Sequence, residues 1–267
     1  MSPACLIERM NTELVPLTKY IGSCIYCGST NSLTDEHIVP RGLGGPWKLL
    51  KGSCQACNEI TSAFEKHVLK DQFILPRTVL RLPTYHPKKR PQKFSFQVEK
   101  NGHSETIELP GTECPPLFMM LTLKKPRYVE NYDYVKGVMV TGSSLHGRQL
   151  LELKEKLKID SISVTVNISA NCFERMLAKI AYGMTTLAYG PNALRECYVL
   201  PCILGKKDDA GYWVGSSGRD VASLPPEEPM HRIFLLNLNK ENEVAASIRL
   251  FANYQTPEYL VIVGKLK

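Results

Sequence analysis

The sequence predicts an α+β chain: a small module stapled through cysteines, followed by an α+β domain with a mostly antiparallel sheet. Three observations carry that prediction. Two Cys-x-x-Cys pairs, Cys24–Cys27 and Cys54–Cys57, bracket a short stretch near the N-terminus. Period-two apolar alternation recurs at 94–98, 106–109, 158–168 and near the C-terminus. Between these strands lies one long helical stripe: Phe173, Met176, Leu177, Ile180, Met184 and Leu187.

The composition excludes several classes. With 267 residues, 43% apolar and 22% charged, the chain can bury a core and does not read as disordered. Its apolar runs fall well short of the ~18 residues that cross a bilayer. Glu8 and Glu13 interrupt the stretch where a secretory signal needs an unbroken apolar core, so a cytoplasmic chain without a membrane anchor is expected. Against 26 acidic residues stand 33 Lys and Arg, a net +7 that favours an anionic partner.

Nine cysteines, an odd count without an export signal, argue for reduced thiols engaged in metal binding or burial. In each Cys-x-x-Cys turn both thiolates can reach one ion, and two such turns complete a tetrahedral four-sulfur shell that suits Zn2+. The other five, Cys5, Cys114, Cys172, Cys197 and Cys202, lack ligand spacing and read as core or surface residues. The 26 residues between the pairs exceed the 15–20 of a plain zinc ribbon, so something is inserted between the knuckles.

Within that insert, Leu33 to Val39 reads as a strand ended by Pro40 and the loop of Gly42, Gly44, Gly45 and Pro46. From Asn58 onward, Ile60, Phe64 and Val68 recur at helical spacing, which starts a helix beside the second knuckle. The layout is hairpin, glycine loop and helix. A core this small needs a metal as a staple.

Cys24-x-x-Cys27, Glu36-His37-Ile38-Val39-Pro40, Gly44-Gly45 and Cys54-x-x-Cys57-Asn58 stand in a familiar order. Over residues 20–70 the chain resembles the HNH, or ββα-metal, endonucleases, especially the branch typified by phage endonuclease VII. The resemblance implies an HNH nuclease module at 1–75 that hydrolyses phosphodiester bonds in DNA. It makes His37 the general base, Glu36 and Asn58 the holders of a catalytic Mg2+ or Mn2+, and the four cysteines the ligands of a structural zinc. The chemistry suits these residue types. A neutral imidazole takes the proton of the attacking water, and a hard cation on oxygen ligands stabilises the phosphoryl oxygens and the leaving 3′ oxygen. RNA, with the same phosphodiester linkage, is not excluded.

Three departures from the family pattern stand out. No asparagine lies between His37 and Cys54, leaving Trp47 or backbone groups to hold the loop that carries the base. Ser62 stands where some relatives place a further histidine. Strict alternation puts Asp35 on the face of His37, whereas the family uses the residue directly before the histidine. Glu36 is therefore the expected ligand if the strand is distorted, with Asp35 the alternate.

After the module, residues 76–93 read as a basic, proline-rich linker. Arg77, Arg81, Lys88, Lys89, Arg90 and Lys93 lie there without an acid from Arg77 to Lys93, which concentrates the charge excess beside the module. They are the expected phosphate contacts, with Tyr85 available to stack on a base. Residues 94–267 form the expected accessory α+β domain. Phe94–Val98 and Thr106–Leu109 pair through the Asn101-Gly102 turn, and Asn171 caps a helix that ends at Gly190-Pro191. Strands at 232–236, 244–251 and 259–263 complete a sheet packed on that helix. No second catalytic spacing occurs there, which leaves roles in gripping DNA, forming a homodimer, binding a regulatory partner or sensing a ligand. Two alternatives stand beside the nuclease: a non-catalytic zinc-stapled nucleic-acid-binding module, and a defence-type effector nuclease held in check by its C-terminal domain.

Overall fold

The computed structural model describes residues 8–10, 15–131, 139–143, 147–220, 222, 225, 228–238, 241–254 and 256–267. Strands β1 (Glu8–Met10) and β2 (Thr18–Tyr20) precede the first knuckle. There Gly28 sits at φ 76°, which lets its N–H turn back to the Cys24 carbonyl at 2.8 Å. Strand β3 (Leu33–His37) follows, and beyond Pro40 the chain makes a 3-10 turn at Arg41–Leu43. Strand β4 (Lys48–Cys54) returns antiparallel to β3 and parallel to β2, giving the order β2-β4-β3.

Helix α1 (Gln55–His67) starts directly after Cys54, three residues before Asn58. Its buried stripe is Cys57, Thr61, Phe64 and then Val68, while Ile60 faces outward. Cys57 has to face the sulfur cluster, and that rotation puts Thr61 rather than Ile60 inward. A π-helical turn, Val68–Gln72, leads into α2 (Ile74–Val79).

A second layer follows. Strands β5 (Lys93–Lys100) and β6 (His103–Pro110) form the expected hairpin, with Asn101 at φ 50° and Gly102 at φ 76°, as a type I′ turn requires. Strand β7 (Phe118–Thr122) pairs with β8 (Met139–Ser143), and α3 (Gly147–Leu157) precedes β9 (Ser161–Ser163), which pairs with β5. Only these three residues of the alternating 158–168 stretch join a ladder. Leu75, Phe96, Val98, Leu109, Leu153 and Ile159 close a small core of their own.

Helix α4 (Ala170–Tyr189) is capped by Ser169, whose hydroxyl accepts the Cys172 N–H at 3.3 Å; Asn171 lies inside the helix. Ser169 still has extended φ and ψ, so it, and not Asn171, sits at the capping position. From Met176 to Leu187 the helix is buried on every side, which makes it the central pillar. Strand β10 (Leu194–Cys197), short helices α5 (Leu200–Ile203) and α6 (Ala210–Trp213), then β11 (Val214–Ser216) follow. Strands β12 (Arg232–Asn237), β13 (Glu243–Arg249) and β14 (Tyr259–Leu266) complete an antiparallel sheet ordered β1-β12-β13-β14-β10, with β11 also on β14.

The architecture is mixed α+β with mostly antiparallel sheets. The expected division at 75 and 93 does not coincide with breaks in packing. Strand β1 belongs to the C-terminal sheet, residues 76–79 lie in α2, and 94–267 contains more than one core. The main core runs from Tyr26, Ile38, Leu49 and Phe64 through α4 to Ile248 and Val261. A hairpin and one helix cannot bury their own apolar faces, so they lean on α4. Among the described residues no helix is long and apolar enough to cross a membrane.

Candidate metal centre and active site

The two knuckles bring Cys24, Cys27, Cys54 and Cys57 together, with all four sulfurs within 4.8 Å of one another. A tetrahedron with metal–sulfur bonds of about 2.3 Å has edges of roughly 3.8 Å, so the donor set fits zinc. Three of these cysteines are buried and Cys27 is exposed. The backbone N–H of Cys57 draws the Cys54 thiol down to about 7, while burial pushes the Cys57 thiol up.

The hairpin between the knuckles is distorted where the sequence left a choice. Thr34 pairs with Ser53 and Glu36 with Leu49, so Leu50, Lys51 and Gly52 bulge opposite Asp35 alone. Lys51 takes φ 53°, and its N–H donates to Asp35 Oδ1 at 3.0 Å. A Cβ on Gly52 would lie 2.8 Å from Leu49 Cβ, so the bulge needs glycine. Asp35 is thereby exposed, Glu36 turns inward at 3% exposure, and His37 is half-buried.

Glu36, His37 and Asn58 line one open cavity of about 690 Å³, together with Asp35, Ser62, Glu65 and Lys179. Asn58, Ser62 and Glu65 are spaced four and three apart on α1, hence on one face. Lys179 enters from α4 and is 2% exposed. Its Nζ lies 2.5 Å from Glu36 Oε1 and 2.5 Å from Glu65 Oε1, and donates to the His37 carbonyl at 2.5 Å. Glu36 Oε2, His37 Nδ1 and the Tyr26 hydroxyl are buried without a hydrogen-bond partner among the described residues.

The electrostatics follow from this packing. Burial lowers the His37 pKa, with Lys48 and Lys179 acting in the same direction and Glu36 against them, which favours the neutral ring. Burial raises the Glu65 carboxyl against the pull of Lys179. For Lys179 burial opposes the charge, but Glu36 and Glu65 outweigh it and push the ammonium up to about 12.

Sequence reading missed Glu65 and Lys179. The first carries a weak signal, a carboxylate seven residues after Asn58. The second is the one charge in the buried run 176–187, and a buried charge has to be paired. With no asparagine between His37 and Cys54, the Trp47 carbonyl accepts the Ile38 N–H at 3.1 Å, and Lys179 holds the His37 carbonyl.

The six basic residues after the module divide. Arg77 donates to the Gly42 and Leu69 carbonyls, both at 2.8 Å, and Arg90 to the Leu82 carbonyl at 2.5 Å. Loop carbonyls without a ladder partner take guanidinium donors first, which engages both arginines in holding the loop. Arg81, Lys88, Lys89 and Lys93 are exposed; Lys93 pairs with Glu108 at 3.2 Å. Lys89 joins Arg41, Lys66, Lys70 and His86 around the cavity. Tyr85 is 76% exposed there, with the Arg41 guanidinium 4.1 Å over its ring.

A four-cysteine staple, a bulged hairpin and a helix together present an imidazole, carboxylates and a carboxamide to one cavity. Residues 24–74 match the family model for HNH endonuclease. At family level this supports a nuclease acting on nucleic acid. No curated protein and no solved structure matches the chain.

Proposed function

We propose that the protein is a metal-dependent HNH endonuclease that hydrolyses phosphodiester bonds in DNA. The observation that supports it best is the convergence of His37, Glu36 and Asn58 on one open cavity, with Glu36 Oε2 and His37 Nδ1 lacking partners. A carboxylate and a carboxamide lining one cavity offer hard oxygen donors, a set that fits Mg2+ or Mn2+. Glu36 and Asn58 would hold that cation, which when bound supplies charge stabilisation for the phosphoryl and leaving oxygens.

The remaining steps belong to the chain. The lowered pKa favours the neutral imidazole of His37 near pH 7, the form that takes a proton from the attacking water. The water oxygen bonds to phosphorus, the bond from phosphorus to the 3′ oxygen breaks, and that oxygen is protonated from solvent. Products are a 5′ phosphate and a 3′ hydroxyl. Arg41, Lys66, Lys70 and Lys89 around the cavity, with the exposed Arg81, Lys88 and Lys93 of the segment that follows the module, attract the phosphate backbone without reading sequence. Tyr85 offers a face for a base.

Cleavage of plasmid, single-stranded and branched DNA, and of RNA, is the test, run with Mg2+ and with Mn2+. His37→Ala lowers the rate at least about a hundredfold while zinc content and folding stay unchanged. Wild-type cutting by His37→Ala overturns the assignment. Salt-dependent binding without cleavage by the wild-type protein would instead mark a non-catalytic module.

A further inference from the structure

Lys179 lies at sequence distance from every residue of the nuclease motif, yet its ammonium is at the centre of the site. The Lys179 Nζ lies 2.5 Å from Glu36 Oε1, from Glu65 Oε1 and from the carbonyl oxygen of His37, the first two as ion pairs and the last as a hydrogen bond. Its side chain is 2% exposed, so it is engaged by these groups and offers little to a substrate. Among the described residues Glu36 Oε2 has no hydrogen-bond partner within normal geometry, although the buried Tyr26 hydroxyl interacts with the same carboxyl.

The register of α4 is held on both sides of this contact. One turn after Lys179, a Cβ on Gly183 would stand 3.2 Å from the side chain of Ile38, the residue after His37, so the helix packs closely against that strand end. The Tyr182 hydroxyl donates to the Ile25 carbonyl in the first knuckle at 2.6 Å. Lys19 Nζ reaches the Leu187 carbonyl at 3.2 Å. These contacts aim the Lys179 side chain between β3 and α1.

We infer that Lys179 is a positioning residue of the nuclease site, anchoring Glu36 and the His37 backbone and neutralising Glu65, so that Glu36 Oε2 alone faces a divalent cation beside the imidazole. The inference rests on the nuclease reading above. It makes α4 part of the catalytic module and not of a separate accessory domain. Its charge arithmetic is specific. Two carboxylates and one ammonium leave a single negative charge, whereas loss of the ammonium leaves two carboxylates facing one another. That pair is a stronger trap for a divalent cation, but one centred between Glu36 and Glu65 and displaced from His37.

The test uses the full-length, zinc-loaded chain and two variants, Lys179→Met and Lys179→Met/Glu65→Gln. Mn2+ binding is read by calorimetry and by the Mn2+ electron paramagnetic resonance signal, and cleavage is measured at saturating Mn2+. Mn2+ is hard and leaves the thiolates to zinc. Lys179→Met binds Mn2+ at least about tenfold more tightly and cuts at least about a hundredfold more slowly, because a displacement of an ångström suffices. The double variant restores the single negative charge, so its Mn2+ affinity returns to within about threefold of wild type. Its cleavage stays at least about tenfold down, since neither Glu36 nor His37 is anchored. Should Lys179→Met fail to fold, the double variant, with no uncompensated pair, decides alone. Wild-type rates in either variant, or a loss of Mn2+ affinity in Lys179→Met, overturn the inference. A wild-type protein that neither binds Mn2+ nor cuts would overturn the nuclease reading itself, a separate outcome.

Discussion

Lowering the pH from 7.5 to 5 withdraws a defined part of the stability through His231, a side chain outside the segment that matches the HNH family model. Its ring is 3% exposed and joins two distant parts of the chain. Nε2 donates to the Leu43 carbonyl at 2.8 Å, and Nδ1 accepts the Phe251 N–H at 3.2 Å. Both nitrogens are satisfied only in the neutral tautomer protonated on Nε2. Burial pulls the pKa from 6.5 down to about 4, against the contrary effect of the Leu43 carbonyl. Between those values the unfolded chain binds a proton that the folded chain refuses. The contribution is therefore complete above about pH 6.5 and is lost as pH falls toward 4. At pH 5, about 1.5 units below the unfolded value and about 1.4 kcal/mol per unit, the loss is about 2 kcal/mol. Urea unfolding of the wild type and of His231→Gln at both pH values isolates this contribution, because every other titrating group cancels. The gap between the two proteins narrows by about 2 kcal/mol on going to pH 5. A gap constant to within about 0.5 kcal/mol would refute the linkage.

Two further perturbations test the frame of the site. Gly45→Ala places a Cβ 2.3 Å from Val39 Cβ, which no rotamer change relieves; the expected loss is about 2 kcal/mol or more, and an unchanged melting temperature would contradict it. Zinc removal with a chelator, or through Cys27→Ser at the exposed ligand, lowers the zinc content and melts the hairpin and α1, because metal binding and folding are one equilibrium; far-ultraviolet circular dichroism reads the loss, and an apo-protein with the native melting curve would count against a structural zinc.

What the sequence determined is what neighbouring residues decide between themselves. The Cys-x-x-Cys turns set the four sulfurs in reach of one ion, Asn101-Gly102 imposes the turn between β5 and β6, and Glu36-His37 with Asn58 follows a motif whose spacing fits one hairpin and one helix. The stripe from Phe173 to Leu187 likewise announces a buried helix. Its cap is Ser169 and not the expected Asn171: both are good capping residues, and only the backbone conformation at Ser169 selects between them.

Tertiary structure decided the rest. Whether Asp35 or Glu36 turns inward depended on the bulge at Leu50–Gly52 across the hairpin. The addition of β1 to the C-terminal sheet, the Arg77 bonds to the Gly42 and Leu69 carbonyls, and the Lys179 ion pairs with Glu36 and Glu65 join segments far apart in the chain. Such contacts leave no periodic trace. They form because a hairpin and one helix cannot bury themselves, and the helix that covers them carries a charge that burial obliges to find partners.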